Sequence, residues 1–159
     1  MTRFTSAQAE AIAGATPKQA WDALTQLDPA AFYPKFGPLP AVTGVRDQTG
    51  DWRSAGQSRT LVLSDGGSVV ETTTDTESPV LFAYELTEFQ KLFGMLVSSA
   101  RAEWHFGRGE AGTGIRWTYE FHAKRGRGWI VGLIVKLFWA PYMRRVLPPI
   151  AAEVESAKR

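Results

Sequence analysis

The segment Ile115-Arg116-Trp117-Thr118-Tyr119-Glu120-Phe121-His122 alternates without a break between large apolar and polar side chains. A period of two predicts a strand with one buried and one solvated face. Ile115, Trp117, Tyr119 and Phe121 then point inward, and Arg116, Thr118, Glu120 and His122 point toward water. The preceding run, Ala100–Phe106, repeats the design, with Ala102, Trp104 and Phe106 set against Arg101, Glu103 and His105. Gly107 to Gly114 joins the two runs and contains four glycines. Because it links strand to strand rather than strand to helix, it reads as a hairpin loop and not as a phosphate cradle. Phe82 and Tyr84 on an upstream strand join the same inner face. Such flat side chains either fill a core or line a pocket with a few polar tips, and the sequence admits both.

Working outward, every signal from Pro40 to Lys124 is strand or turn. Ala41–Asp47 and Ser58–Leu63 flank a turn at Thr49-Gly50-Asp51, and Asp65-Gly66-Gly67 is a tight turn leading into Val69–Thr76. Pro79 opens a further strand in which Val80, Phe82, Tyr84 and Leu86 alternate. At the start of the chain, Phe4 to Ala13 places Ala7, Ala9, Ala11 and Ala13 on one face and Phe4, Ser6, Gln8, Glu10 and Ile12 on the other.

Thr16-Pro17-Lys18-Gln19 has the form of a capping box with proline at the first helical position. Ala20, Trp21, Leu24 and Leu27 then follow at helical spacing. Asp28-Pro29 ends that helix, and Ala30 to Phe36 adds a turn or two before the Gly37-Pro38-Leu39-Pro40 breaker. Past Arg125-Gly126-Arg127-Gly128, residues Trp129–Tyr142 are apolar apart from Lys136. Pro141 and the pair Pro148-Pro149 are expected to kink or divide the remainder, leaving Ile150–Lys158 as a last polar helix.

These elements compose an α+β fold, a single domain over residues 1–159. A curved antiparallel sheet of six or seven strands wraps a long C-terminal helix, with two short helices after the first strand.

Composition narrows the function classes. At 159 residues with 44% hydrophobic and 21% charged residues the chain is globular. Lys and Arg number 18 against 16 Asp and Glu, too even a balance to indicate nucleic acid. The absence of cysteine removes disulfides, thiolate metal sites and cysteine nucleophiles. No Gly-x-Ser-x-Gly elbow occurs. The two histidines, His105 and His122, lie on the outward face without a second ligand at metal spacing, so neither a metal nor a cofactor is expected. Met1–Gly14 lacks the apolar core of a signal peptide, which makes the cytoplasm the expected compartment.

Several stretches carry a family resemblance. They are Ala55-Gly56-Gln57-Ser58-Arg59; Leu63-Ser64-Asp65-Gly66-Gly67-Ser68-Val69-Val70-Glu71; Asp75-Thr76-Glu77-Ser78-Pro79-Val80-Leu81-Phe82-Ala83-Tyr84; and Gly112-Thr113-Gly114-Ile115-Arg116-Trp117-Thr118. Together with the opening Thr16-Pro17-x-x-Ala20-Trp21-x-x-Leu24, they resemble the polyketide cyclase/dehydrase-like branch of the START/Bet v 1-like (SRPBCC) superfamily. The resemblance spans nearly the whole chain and implies a helix-grip fold with a cavity between the sheet and the C-terminal helix. Arg116 directly precedes Trp117, one step later than the family's Thr-Arg, and is assigned no role.

Arg59 and Glu71 match the family's Arg and Glu and are the candidate catalytic or ligand-anchoring pair. Counted outward from Gly66 they are not quite opposite, which leaves a direct pair open. Either they hold the polar end of a ligand or they form an ion pair that fixes register. The expected apolar lining is Phe82, Tyr84, Trp104, Phe106, Trp117, Tyr119 and Phe121 from the sheet, with Leu133, Leu137 and Tyr142 from the helix. Tyr84, Tyr119 and Tyr142 each offer a phenol for orientation.

The apolar helix is flanked by Lys124, Arg125 and Arg127 before it and by Arg144 and Arg145 after it. Fourteen residues at about 1.5 Å each fall short of a ~30 Å hydrocarbon core, so spanning is rejected. Its outer face is expected to meet a loop or a second subunit, or to touch anionic lipid transiently through residues 129–145. A monomer and a homodimer both remain open.

The expected function is binding or transport of a small hydrophobic molecule, such as a lipid, a polyketide or an aromatic metabolite. The alternative is an aromatase/cyclase-type enzyme on a polyketide-like substrate, and the third reading is a protein-interaction or stress-response module.

Overall fold

A computed structural model describes residues 4–157. Met1 to Arg3, and Lys158 at the end of the expected last helix, lie outside the described residues. The elements run β1 (Phe4–Ala13), α1 (Pro17–Thr25), α2 (Pro29–Phe32), β2 (Val42–Arg46), β3 (Ser58–Leu63), β4 (Ser68–Glu77), β5 (Leu81–Thr87), α3 (Lys91–Leu96), β6 (Val97–Gly109), β7 (Gly112–Ala123), α4 (Gly128–Ile134) and α5 (Ala140–Ala157). One seven-stranded sheet results, ordered β1-β7-β6-β5-β4-β3-β2 and antiparallel at every junction. The chain therefore crosses from one edge to the other through α1 and α2. This is the helix-grip architecture that the family resemblance implies.

The hairpins are tighter than their glycine content suggests. Glu110 and Ala111 alone separate β6 from β7, whose last pair is Gly109 with Gly112. Gly112 sits at φ 131°, and a Cβ there would lie 2.2 Å from the Ala13 carbonyl oxygen. Between β3 and β4, Leu63 and Gly67 close a three-residue turn with Gly66 at φ 85°, the left-handed position such a turn requires. That turn centres on Asp65, not on Gly66, and so places Arg59 directly opposite Glu71. The one-residue difference from the sequence count turns an oblique relation into a pair.

Two other elements differ from expectation. β5 begins at Leu81, and Val80 lies in the turn before it, 54% exposed. The stretch read as pure strand and turn contains α3, a six-residue helix between β5 and β6.

The C-terminal helix is continuous from Gly128 to Ala157, with a π-turn over Val135–Trp139 joining α4 to α5. Ala140 N–H donates to the Val135 carbonyl in that wider turn, which takes up the defect expected at Pro141. Pro148 and Pro149 do not divide the helix. The carbonyls they leave unpaired belong to Arg144 and Arg145, which are exposed and reach water.

Tyr142, Met143, Val146, Leu147, Ile150 and Val154 form the buried stripe of α5. Burial of each of these large apolar side chains contributes roughly 1.5–3 kcal/mol. The alanines of β1 let α5 lie close on that strand, with Ala9 and Ala13 buried beneath it. The capping box of α1 forms as read, Gln19 N–H donating to Thr16 Oγ1 and Thr16 N–H to Gln19 Oε1. That helix packs across β5 to β7 and against α5, filling one end of the concave face. The opposite end stays partly open.

Candidate ligand-binding site

At that end the sheet and the helix enclose a cavity of about 140 Å³. Phe82, Tyr84, Trp104, Tyr119, Phe121 and Tyr142 line it, and Arg59 and Glu71 lie in its wall. Four expected lining residues do not. Leu133 and Leu137 are 47% and 57% exposed on the outer face of the C-terminal helix. Val131, Ile134, Val135 and Trp139 face the cavity instead. A segment apolar nearly all round carries no phase, so the sequence cannot say which face turns inward. Phe106 and Trp117 sit on the correct face of the sheet but away from the cavity. Phe106 lies toward the end that α1 fills. Trp117 is fully buried, stacked on Trp104 at 4.7 Å and edge-on to Tyr33 and Trp139.

Contributors absent from the sequence reading come from loops and from the short helices. Trp52, in the β2–β3 connection at φ 65°, is only 2% exposed. Its loop is pinned by Gln57, whose amide donates to Asp51 Oδ1 at 3.2 Å and whose carbonyl accepts from Arg53 N–H at 2.9 Å. The Gln57 hydrogen bond also holds the Asp51 carboxyl below its ordinary range. Tyr33, just past α2, and Phe89, Phe93 and Leu96 around α3 complete the lining. A tryptophan between charged loop residues and a six-residue helix containing glycine give no periodic signal.

The polar groups cluster. Arg59 Nε donates to Glu71 Oε1 at 2.8 Å, with side chains 10% and 4% exposed. The guanidinium carbon lies 4.1 Å from the centre of the Trp52 ring, a cation–π contact on its other side. Burial pushes the Glu71 carboxyl above its usual range, and the charge and hydrogen bond of Arg59 only partly offset this. Trp104 Nε1 donates to the Tyr84 hydroxyl at 3.4 Å, and the Tyr119 phenol is a second partner of Tyr84. Tyr33 feels Tyr84, Glu71 and Arg59 in turn. Burial, the largest cause in each case, raises the pKa of Tyr33, Tyr84 and Tyr119, so these phenols stay neutral. Tyr142 is raised for the same reason and donates to the Pro34 carbonyl at 2.7 Å, so its hydroxyl is already committed.

Unused hydrogen-bonding capacity is therefore specific. Among the described residues, Arg59 Nη1 and Nη2, the Tyr33 hydroxyl and Glu71 Oε2 have no protein partner. The indole N–H groups of Trp117 and Trp139 are also unpaired, and both are buried among ring side chains. The site thus presents an apolar chamber with a guanidinium and a phenol as free donors and one carboxylate oxygen as acceptor, and the exposed Gln90 also contributes to its lining. Among the described residues no group of three His, Cys, Asp or Glu side chains could hold a metal. His105 and His122 lie on the outer face, paired with Glu103 at 2.9 Å and Glu120 at 2.7 Å.

A curved antiparallel sheet gripping a helix over an internal cavity defines a Bet v 1-like, helix-grip protein. The chain belongs to the family described as polyketide cyclase / dehydrase and lipid transport, whose model matches residues 3–155. Solved structures with the same fold are distant in sequence. Norcoclaurine synthase from Thalictrum flavum, solved in complex with dopamine and hydroxybenzaldehyde, is 15% identical with a TM-score of 0.66, covering 98% of this chain and 86% of that one. Ara h 8.0201 is 13% identical with a TM-score of 0.64, covering 97% and 99%. Protein MLL2253 from Mesorhizobium loti is 14% identical with a TM-score of 0.60, covering 97% and 96%. No curated protein sequence matches. Among the described residues no helix is long and apolar enough to cross a membrane.

Proposed function

We propose that the chain binds a small aromatic or alicyclic molecule bearing a carbonyl or similar oxygen acceptor. The observation that carries this reading is the pairing of an apolar chamber with the free donors of Arg59 and Tyr33. Size sets the class: cavities of about 150 Å³ with apolar linings hold benzene, whereas drug-sized ligands need ~300 Å³ or more. A chamber of about 140 Å³ therefore takes one ring or a compact alkyl group in this conformation. The ring packs among Phe82, Leu86, Phe93 and Phe121, and its oxygen accepts from the guanidinium. The family's description includes lipid transport, and one structural neighbour was solved with two aromatic molecules, both consistent with an apolar guest.

Isothermal titration with acetophenone and with ethylbenzene, nearly isosteric and differing by the oxygen, tests the reading. A hydrogen bond to a charged donor contributes about 1.5–3 kcal/mol, so acetophenone should bind at least ~10-fold more tightly. Equal affinities, or no binding of either, would overturn it.

A second reading, proton-transfer chemistry of the cyclase/dehydrase type, is favoured by one observation. Glu71 is a 3% exposed carboxyl whose pKa burial raises above its ordinary value, near the phenols of Tyr33, Tyr84 and Tyr119. That is the setting of a general acid–base group. Glu71→Gln, which keeps the shape and removes the titration, should abolish turnover of any substrate found while sparing binding.

A further inference from the structure

The outer surface beside the cavity has an organisation that the ligand site does not explain. Leu133 and Leu137 on the C-terminal helix are exposed, and so is Trp129 one turn earlier, at 67%. These positions share one face of the helix, opposite the face of Val131, Val135 and Trp139 that looks into the cavity. On the adjoining α3, Leu92 and Met95 are 47% and 64% exposed, while Phe93 and Leu96 of the same short helix line the cavity. The two elements touch, and the Lys124 ammonium donates to the Gly94 carbonyl, tying α3 to the start of α4. Two neighbouring elements thus each turn one side to the chamber and expose large apolar side chains on the other.

Charge is segregated onto the same region. Residues 89–100 and 124–152 contain seven Lys and Arg and no Asp or Glu, leaving eleven cations against sixteen carboxylates in the rest of the chain. A net charge of +2 hides this division. Lys91, Lys124, Arg125, Arg127 and Lys136 ring the apolar patch, and all are exposed. Asp65, at the tip of the β3–β4 hairpin, comes beside Lys91. None of Lys124, Arg125, Arg127 or Lys136 is in an ion pair among the described residues. Arg144 and Arg145 lie about two turns further along the helix.

From this arrangement we infer that α3 and the first three turns of the C-terminal helix form a docking surface for a membrane bearing anionic lipid. Trp129, Leu133, Leu137, Leu92 and Met95 enter the headgroup–acyl boundary, and the five cations meet the lipid phosphates. An apolar patch ringed by unpaired cations, with no carboxylate contributed by either element, is the pattern of a surface that lies on an anionic bilayer rather than across one. A second copy of the chain would set like charges against each other on this patch, which disfavours a symmetric dimer here. The inference does not depend on the proposed ligand. It also gives the cavity a short route to the bilayer, because the docking elements are part of its wall.

The test is co-sedimentation of the full chain with vesicles of phosphatidylcholine alone and of phosphatidylcholine with a quarter phosphatidylglycerol. The expected result is binding to the anionic vesicles, weakened by salt, with little binding to the neutral ones. Each basic side chain near such a surface is worth about 1 kcal/mol, or roughly fivefold, so Arg125→Gln/Arg127→Gln should weaken binding roughly 25-fold. Leu133→Asp should weaken it independently, and circular dichroism should show both variants folded, since all three side chains are exposed. Equal partitioning to both vesicle types, or no binding at low salt, would overturn the inference. So would a dimer by light scattering that Leu133→Asp converts to a monomer, because the patch would then be a subunit interface.

Discussion

Replacing Arg59 with methionine would leave Glu71 buried without its partner. The carboxylate is only 4% exposed and receives its single protein hydrogen bond from Arg59 Nε at 2.8 Å. Removing one member of such a pair costs about 3–5 kcal/mol, because a charge is left uncompensated. The guanidinium also gives up its contact with Trp52 at 4.1 Å, worth about 1 kcal/mol, though the methionine recovers part of that packing. A net loss near 3–4 kcal/mol is expected. With a urea slope of about 2 kcal/mol/M, the unfolding midpoint should fall by roughly 1.5–2 M.

The loss should also depend on pH with a definite sign. Burial already holds the Glu71 carboxyl above its ordinary value of 4.5, and removal of Arg59 takes away the two effects that oppose the shift. A carboxyl raised in the folded state binds its proton more tightly there than in the unfolded chain. Stability then falls as pH climbs from about 4.5 through the raised value, so the variant should be worse at pH 8 than at pH 4. The double variant Arg59→Met/Glu71→Leu removes both charges together and should return to within ~1 kcal/mol of the parent, or exceed it. An equal penalty at both pH values, or a double variant as unstable as the single, would refute the electrostatic account. The double variant should also lose preference for acetophenone over ethylbenzene, which a purely register-fixing ion pair would not affect.

Other outcomes follow from individual contacts. Trp104→Ala should cost about 3–5 kcal/mol in a denaturant melt, since it removes the ring stacked on Trp117 at 4.7 Å and a wall of the cavity. Gly112→Ala should lower the melting temperature by several degrees, because its Cβ would meet the Ala13 carbonyl at 2.2 Å and its φ of 131° is strained for any other residue. On the outer face, Arg101 donates to Asp75 Oδ2 at 2.7 Å and Glu103 Oε2 at 2.9 Å, and hydrogen bonding from Arg101 is the leading cause holding both carboxyls below their ordinary values. Carboxyls depressed in the folded state contribute stability that is complete above about pH 5 and is lost as pH falls through the depressed values, so Arg101→Leu should flatten the acid limb of a stability–pH curve.

How far the sequence discloses this molecule depends on where periodicity operates. Ile115 to His122 and Ala100 to Phe106 showed their inner faces because antiparallel strands with one wet side must alternate, and all seven positions read inward on that logic are buried: Ile115, Trp117, Tyr119, Phe121, Ala102, Trp104 and Phe106. Position along a strand is a separate matter. Phe106 and Trp117 share the face of Trp104 and Tyr119 but not the cavity, and only the placement of α1 decides that. The helix offered no phase at all, so Leu133 and Leu137 exchanged roles with Val131, Val135 and Trp139. Trp52 and Tyr33 come from irregular connections whose path depends on hydrogen bonds such as those of Gln57, which local pattern does not encode. The Arg59–Glu71 pair lay one residue from legible, because the register turns on which residue of the Asp65-Gly66-Gly67 turn takes the left-handed conformation.

The most direct measurement is a crystal structure of the full chain grown with saturating acetophenone. The account expects the ring in the chamber between Phe82, Leu86, Phe93 and Phe121, with the carbonyl oxygen within ~3 Å of an Arg59 Nη atom and the Arg59–Glu71 pair intact. An empty or collapsed chamber at saturation would contradict it, and so would a ligand with its oxygen turned away from Arg59.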